Sequence, residues 1–169
     1  MSIEKVYYDY IKVQEWVNKI SFQMYKDNWR PDYIVGLTRG GLIPAVYLSH
    51  WLDIPMWTLK VSLRDDGQTE TNAWMAEDAY GYNEAPKNIL IVDDINDSGK
   101  TMQWIKQDWQ SSCCPTDPRW QSIWNNNVRF AVLTHNTVSE FQDIDYMAQE
   151  INKHQDPQWV VYPWEEWWR

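Results

Sequence analysis

The stretch from residue 88 to residue 101 constrains the fold of this chain more than any other part of the sequence. Residues 88–92 form a short run rich in branched apolar side chains, which predicts a buried strand inside a parallel sheet. The run ends at two carboxylates, Asp93 and Asp94, and the pentapeptide 97–101 then leads into a helical pattern. Free backbone N–H groups and the positive end of a helix dipole meet at such a turn. We therefore predict an anion-binding site where this strand ends.

Two carboxylates beside an anion-binding turn favour a ligand that carries both hydroxyl groups and a phosphate. Carboxylates accept hydrogen bonds from hydroxyls, whereas main-chain N–H groups donate to phosphate. A sugar phosphate has both kinds of group. The P-loop of nucleoside triphosphatases is excluded, because its first glycine would stand five residues before Gly99, where this chain has Asp94.

A second strand, turn and helix of the same kind lie earlier in the chain. Residues 33–37 predict a short buried strand, and residues 42–52 predict a helix. The tetrapeptide between them, 38–41, reads Thr-Arg-Gly-Gly. Glycine lets backbone N–H groups approach a ligand closely, and Arg39 offers a planar fork of donors to a phosphate. The tetrapeptide predicts a second anion-binding turn; the alternative is a tight connection that carries a surface arginine.

The charge of the chain limits the partners that it can have. Its 169 residues suit one domain, the net charge is −9, and no segment shows the clustered Lys or Arg that binding to nucleic acid requires. We therefore expect no nucleic-acid partner. An acidic protein that binds a polyanion must concentrate donors locally and recruit a divalent cation, so metal dependence is also expected.

The remaining segments are expected to flank the two turns. Apolar spacing predicts a first helix at about 9–26 and another at 101–110, and residues 55–61 and 128–134 predict strands. Residues 62–86 are long, polar and without clear periodicity, which is typical of a lid or a disordered loop.

The sequence also predicts where the protein works. Cys113 and Cys114 are adjacent, which strains a mutual disulfide and matches no metal-ligand spacing, so a reducing compartment is expected. Residues 1–14 carry charges throughout, and nowhere do about 18 apolar residues follow one another. We expect a cytoplasmic protein that does not bind a membrane.

Three segments resemble the type I phosphoribosyltransferases. Residues 88–101 resemble their phosphoribosyl-pyrophosphate signature, which is an apolar strand, Asp-Asp, two residues, Asp, a small hydroxyl residue, Gly, a variable residue and Thr. Residues 33–45 resemble the pyrophosphate loop of xanthine-guanine and hypoxanthine phosphoribosyltransferases. Residues 158–165 resemble the xanthine-guanine type hood, which reads Trp, aliphatic, two residues, Pro, Trp and an acidic residue.

The resemblance implies an α/β fold of one domain, 1–169, with a central, mostly parallel sheet flanked by helices. A flexible lid loop would cover residues 62–86, and a small C-terminal hood that binds the base would cover residues 145–169. The lid usually carries Ser-Tyr, whereas this chain has Ser62-Leu63. Enzymes of the family are usually dimers or tetramers, so a homo-oligomer is expected.

The resemblance assigns a role to each residue of the two turns. Asp97 occupies the position that accepts the proton from N7 of the incoming base. Asp93 and Asp94 would hold the ribose hydroxyls, with Asp94 contacting Mg²⁺ directly or through water and Asp93 as a second candidate contact. The 5-phosphate would be bound by Ser98, Gly99, Lys100 and Thr101, and the pyrophosphate by Thr38, Arg39 and Gly40.

Recognition of the base would fall to the tail and to the end of the strand at 128–134. By the resemblance, Trp159 packs against the purine ring, and main-chain groups of Val160 and Glu165 contact its 2-position. Family members that recognise 6-oxopurines usually carry a lysine after this strand, where this chain has His135-Asn136. His135 could donate to a base carbonyl in the right tautomer; the alternative is a structural histidine.

The function that the resemblance implies is purine salvage. The chain would transfer the 5-phosphoribosyl group from phosphoribosyl pyrophosphate to guanine, xanthine or hypoxanthine, giving a nucleoside monophosphate and pyrophosphate. Two alternatives stay open. A regulator that senses phosphoribosyl pyrophosphate would need a basic surface or a DNA-binding domain, and a transferase for adenine or a pyrimidine would use the same fold.

Overall fold

The computed structural model of the protein describes residues 2–61 and 73–169. In these residues the chain forms seven strands, four α-helices and one 3-10 helix. None of the described helices is long and apolar enough to cross a membrane. The elements are β1 (Glu4–Tyr7), α1 (Tyr10–Lys26), β2 (Tyr33–Thr38), α2 (Leu42–Leu52), β3 (Met56–Lys60), α3 (Ala73–Tyr80), β4 (Ile89–Asn96), α4 (Lys100–Ser112), the 3-10 helix (Pro118–Ser122), β5 (Val128–Asn136), β6 (Tyr146–Ile151) and β7 (Gln158–Val161).

Five of the strands form one parallel sheet in the order β3-β2-β4-β5-β6. The direction in which the chain moves across this sheet reverses between β2 and β4, because β3 adds to the far side of β2 while β5 and β6 add beyond β4. Helices α2 and α4 accordingly cover opposite faces. A reversal of this kind opens a crevice at the carboxyl edge of the sheet, where α/β proteins bind ligands.

Helices cover both faces of the sheet. Residues 89–92 of β4 point alternately to the two faces, which is why the whole run is apolar. One face packs under α3, α4 and the 3-10 helix, with Met75 and Trp120 among the buried residues. The other packs under α1 and α2, with Ile20 and Leu48. The expected α/β fold with a parallel sheet flanked by helices is confirmed.

The expected lid over residues 62–86 is wrong for part of its length. Residues 62–72, which include Ser62 and Leu63, lie outside the described residues. Residues 73–80 form α3, which buries four side chains at the spacing of one helical face: Met75, Ala76, Ala79 and Tyr80. The helix has only two turns and two of its buried residues are alanine, so its apolar periodicity is weak in the sequence.

The expected C-terminal hood over residues 145–169 is also corrected. Its first part, β6, is the edge strand of the central sheet and pairs with β5. Only β7 leaves the sheet, and it pairs in parallel with β1 near the N-terminus, where Lys5 is the partner of Trp159. The strand β1 was not predicted, because its Glu-Lys-Val-Tyr sequence is mostly exposed and carries no apolar alternation. Both ends of the chain therefore build the hood.

Candidate active site

The turns that follow β2 and β4 meet at the carboxyl edge of the sheet. Gly36 of β2 pairs with Val92 of β4, so the segments after them run side by side. A β-carbon on Gly40 would lie 2.2 Å from Oδ2 of Asp94, and one on Gly41 would lie 2.3 Å from the carbonyl oxygen of Val92. A side chain at position 41 would meet backbone atoms, so glycine is required there, whereas a side chain at position 40 would have to displace the Asp94 carboxylate.

The acidic pair at the end of β4 is held by its own backbone. Asp93 Oδ1 accepts from the amide of Asp94 at 2.9 Å, and Asp94 Oδ1 accepts from the amide of Ile95 at 2.8 Å. Burial raises the pKa of Asp93 well above its usual range, and the neighbouring charge of Asp94 adds to the rise. Burial likewise raises the pKa of Asp94. Two carboxylates in this environment favour a cation or hydroxyl donors beside them.

The donor set at this edge fits a Mg²⁺ ion that arrives with a phosphate ligand. In residues 2–61 and 73–169 no group of three or more His, Cys, Asp or Glu side chains is arranged to hold a metal. Mg²⁺ is commonly bound by one or two carboxylates together with substrate phosphates and water. Asp93 and Asp94 supply two carboxylates, and the two turns predicted to bind anions lie next to them.

The turn after β4 presents the N-terminus of α4. Gly99 precedes the helix with φ +91°, a left-handed conformation that favours glycine, and a β-carbon there would lie 2.6 Å from the amide nitrogen of Phe141. Gly99 has no side chain to cap the helix, and Oγ of Ser98 accepts from the amide of Lys100 at 3.4 Å. Ser98 and Lys100 are exposed, while Thr101 is half-buried. The backbone N–H groups of this turn therefore lie at the positive end of the helix dipole, which is the chemistry expected of an anion-binding turn.

Asp97 stands at the start of this turn and has two partners. Its Oδ1 accepts from Nδ2 of Asn136 at 3.1 Å, and its Oδ2 accepts from Nζ of Lys153 at 2.8 Å. The Asp97 side chain keeps 44% of its surface exposed. The carboxylate is therefore positioned by neighbours from β5 and from the turn after β6, yet remains accessible to a ligand.

Trp159 lies beside the same ammonium group. Its ring, which is 45% exposed, has the Nζ of Lys153 at 5.5 Å from its centroid. The next residue of β7, Val160, is buried and anchors the strand that carries the exposed Trp159. Asp97, Lys153 and Trp159 thus form one cluster at the edge of the crevice.

The tail beyond β7 returns to the acidic pair. The hydroxyl of Tyr162 lies 2.9 Å from the carbonyl oxygen of Asp94 and 2.7 Å from Oγ1 of Thr134. The amide of Glu165 donates to the carbonyl of Tyr162 at 3.0 Å. Burial and the charge of Asp94 raise the pKa of Glu165, while the charge of Arg39 opposes the rise. The tail is therefore in electrostatic contact with both turns.

His135 is placed differently from the other candidate residues. It is 3% exposed, its Nδ1 lies 3.1 Å from Nδ2 of Asn96, and its Nε2 lies 3.4 Å from Oε1 of Gln142. An amide nitrogen can only donate, so Nδ1 accepts and the proton sits on Nε2, facing Gln142. Both ring nitrogens are engaged inside a buried polar cluster, and neither is free for a base carbonyl.

Three residues of this edge escaped the sequence reasoning: Asn136, Lys153 and Tyr162. The sequence signal that could have identified Asn136 and Lys153 is their position at the ends of predicted strands. Asn136 ends β5 and Lys153 lies two residues beyond β6, and the carboxyl ends of neighbouring parallel strands meet at one edge of a sheet. The remaining candidate residues lie at this edge as well, and His135 differs from them in that its side chain is buried.

Known proteins with similar sequences and folds were found. The phosphoribosyl transferase domain family matches residues 6–165. A xanthine-guanine phosphoribosyltransferase from Cereibacter sphaeroides is 35% identical over 86 residues, which cover 46% of each chain, so the match spans about half the length of that relative. A hypoxanthine-guanine phosphoribosyltransferase from Schizosaccharomyces pombe is 23% identical over 82% of this chain and 79% of its own.

One solved structure extends the likeness to the whole fold. The purine phosphoribosyltransferase from Pyrococcus horikoshii superposes with a TM-score of 0.68 at 25% identity, covering 96% of this chain and 95% of its own. The family match includes both turns, the acidic pair and the tail from β7 to Glu165. The chain therefore belongs to the phosphoribosyl transferase domain family.

Proposed function

We propose that this protein transfers the 5-phosphoribosyl group from phosphoribosyl pyrophosphate to a ring nitrogen of a 6-oxopurine, releasing pyrophosphate. The observation that carries the proposal is the gathering of an acidic pair, two anion-binding turns and the Asp97, Lys153 and Trp159 cluster along one crevice. Relatives named xanthine-guanine and hypoxanthine-guanine phosphoribosyltransferases support the choice of base. The product would be a nucleoside monophosphate, as in purine salvage.

The acidic pair and the turn before α4 would bind the ribose 5-phosphate. Carboxylates of Asp93 and Asp94 accept hydrogen bonds from the ribose hydroxyls, and the backbone of residues 98–101 donates to the phosphate. Asp93 and Asp94 would hold Mg²⁺, which would supply positive charge that stabilises the leaving pyrophosphate. The raised pKa of both carboxyl groups supports a cation at this position, because burial disfavours two unneutralised charges.

The turn after β2 would hold the leaving pyrophosphate. The Gly40 backbone packs against Asp94, and the exposed Arg39 offers a planar guanidinium. Thr38, at the end of β2, adds a hydroxyl beside this loop. As the bond from the ribose C1 to the pyrophosphate oxygen breaks, positive charge here stabilises the leaving group, while the carboxylates stabilise a cation-like ribose.

Asp97 would act as the general base. As a ring nitrogen of the purine bonds to the ribose C1, the proton on N7 passes to the Asp97 carboxylate, and the electron pair of the breaking bond leaves with the pyrophosphate. Trp159 would stack on the purine, and main-chain groups of Val160 and Glu165 would contact its 2-position. His135 is left out of this proposal because both of its ring nitrogens are engaged.

A panel of acceptors tests the proposal. The protein is incubated with phosphoribosyl pyrophosphate, Mg²⁺ and each of guanine, xanthine, hypoxanthine, adenine, uracil and orotate, and nucleotide formation is measured. We expect product with 6-oxopurines and its loss in excess chelator. Product from none of the bases would remove the proposed activity and favour a regulator, and full activity in chelator would remove the metal role.

Replacement of Asp97 tests the general base. Asp97→Ala is expected to lower turnover by roughly a hundredfold or more while phosphoribosyl pyrophosphate still binds, because a positioned base contributes about that much. Asp143→Ala, at an exposed position outside the crevice, is the matched control and should keep normal turnover. Near-normal turnover of the Asp97 variant would refute this role.

A further inference from the structure

The turn that follows β6 presents Lys153 at a fixed position. Asn152 closes this turn, because its Oδ1 accepts from the amides of His154 and Gln155 at 3.0 and 3.1 Å. The amide of Lys153 donates to Oδ1 of Asn136 at 3.3 Å, which ties the turn to the end of β5. The same Asn136 donates to the Asp97 carboxylate. One asparagine therefore sets the backbone of Lys153 and the side chain of Asp97 relative to each other.

The ammonium of Lys153 contacts the two residues that the proposed function assigns to the base. It lies 2.8 Å from Oδ2 of Asp97 and 5.5 Å from the centroid of the Trp159 ring. The Lys153 side chain is 21% exposed, whereas Asp97 is 44% exposed. The ammonium is thus more sheltered than its carboxylate partner and remains open to a ligand on one side.

A carboxylate beside an ammonium is complementary to one edge of a 6-oxopurine. When N7 carries a proton, that edge presents an N–H donor next to the O6 acceptor, and the protein presents an acceptor, Asp97, next to a donor, Lys153. Adenine carries an amino group at position 6 in place of the oxygen. Its N–H donors would face the half-buried ammonium, which would gain no acceptor from the base.

We propose that Lys153 is a specificity-determining residue that donates to O6 of the base and selects 6-oxopurines against adenine. This inference rests on the proposed function, and it explains how the chain dispenses with a lysine at the end of β5, where Asn136 stands. During transfer, N7 gives its proton to Asp97 while the ammonium stabilises the electron density that the ring gathers on O6.

Equilibrium binding tests the inference independently of turnover. Binding of GMP and of AMP is measured by calorimetry for the wild-type protein, Lys153→Met and Lys153→Arg. We expect the wild type to prefer GMP, Lys153→Met to lose roughly 10- to 100-fold of that preference, and Lys153→Arg to retain part of it, because a charged hydrogen bond is lost only in the methionine variant. Lys12→Met, which removes another paired lysine on α1, is the control and should keep the preference.

The binding and turnover results distinguish the inference about Lys153 from the proposed transferase activity. A Lys153→Met variant that folds, melts like the wild type and keeps the full preference for GMP would overturn the inference, even if the protein is an active transferase. Equal binding of GMP and AMP by the wild type would overturn it too. A preference that depends on Lys153 in a protein without turnover would support the inference and remove the catalytic proposal. If Lys153 only positions Asp97, the methionine variant should lose the same factor of affinity for GMP and for AMP. That result would also overturn selection by Lys153.

Discussion

Gly40 and Asp94 illustrate how single residues set the geometry of this crevice. A β-carbon at position 40 would lie 2.2 Å from the Asp94 carboxylate, a separation that real contacts do not show. The loop after β2 therefore packs against a side chain of β4. This contact between Gly40 and Asp94 links the positions of the two turns.

Gly40→Ala tests this coupling. The added methyl must displace the loop or the carboxylate, so we expect a lower melting temperature and a loss of catalytic efficiency of roughly a hundredfold from misplaced groups. In an Asp94→Ala background the carboxylate is gone, and the same substitution should cost less stability. Equal costs in both backgrounds, measured in a double-mutant cycle, would show that the contact does not matter.

Tyr162 joins the tail to the central sheet through one hydroxyl. It lies within hydrogen-bonding distance of the Asp94 carbonyl and of Thr134, and both the tyrosine and the threonine are buried. Tyr162→Phe removes both hydrogen bonds, although Thr134 keeps the one from Gln149, and is expected to reduce the free energy of unfolding by about 1–3 kcal/mol. Denaturant unfolding measures this cost. Trp168→Phe, near the exposed C-terminus, is the control, and an equal effect of the two variants would contradict the prediction.

At the scale of elements, α3 is part of the core. Met75 is 1% exposed and packs in the cluster that also contains Ile105 and Trp109. Met75→Ala is expected to destabilise the protein by about 2–5 kcal/mol, as for other buried large-to-small changes. The exposed Tyr82, just beyond the helix, offers a control whose replacement by alanine should stay within about 0.5 kcal/mol. A Met75 variant as stable as wild type would indicate that residues 73–80 form a mobile lid after all.

The pairing of β1 with β7 gives a second prediction at this scale. Deletion of residues 2–7 removes the partner of β7 but keeps Tyr8, whose amide donates to the Val161 carbonyl at 3.1 Å. Because β1 lies outside the central sheet, we expect the fold to persist, the KM for the base to rise and the KM for phosphoribosyl pyrophosphate to change little. Steady-state kinetics measure both constants. A parallel rise in the two constants would show that the deletion perturbs the whole crevice instead of the hood.

For the whole molecule, buried tyrosines make stability sensitive to alkaline pH. Burial raises the pKa of Tyr146 to about 12, and it also raises the pKa of Tyr33 and of Tyr162. Above pH 10, the ordinary pKa of tyrosine, the unfolded chain loses these protons while the folded chain keeps them. The unfolded state then binds fewer protons, so stability falls as pH rises through this window.

Tyr146→Phe checks this dependence. The variant cannot lose a proton at this position, so the free energy of unfolding should fall less steeply between pH 10 and about 12 than in the wild type. Chemical denaturation at a series of pH values measures the slope. Tyr25→Phe alters an exposed ring and should leave the profile unchanged. Identical slopes for the wild type and the Tyr146 variant would contradict the assignment.

Local patterns of the sequence were sufficient to predict the positions of the two turns and the fold class. Residues 88–92 are apolar on both faces, which is required of a central parallel strand, and the glycines at 40, 41 and 99 occur where backbone must approach another atom closely. Residue type and local spacing indicate such a strand and such turns. The atoms that these glycines approach, on Asp94, Val92 and Phe141, lie far away in the chain and were identified only by the fold.

Only the tertiary structure decided which distant residues share the crevice. The pairing of β1 with β7, the contact of His135 with Asn96, and the contact of Lys153 with Asp97 all join segments far apart in the chain. Strand order and register set these neighbours, and no local spacing encodes them. The sequence by itself determined the α/β fold class and made Asp97 a candidate base; the fold decided that the cation beside Asp97 comes from the turn after β6.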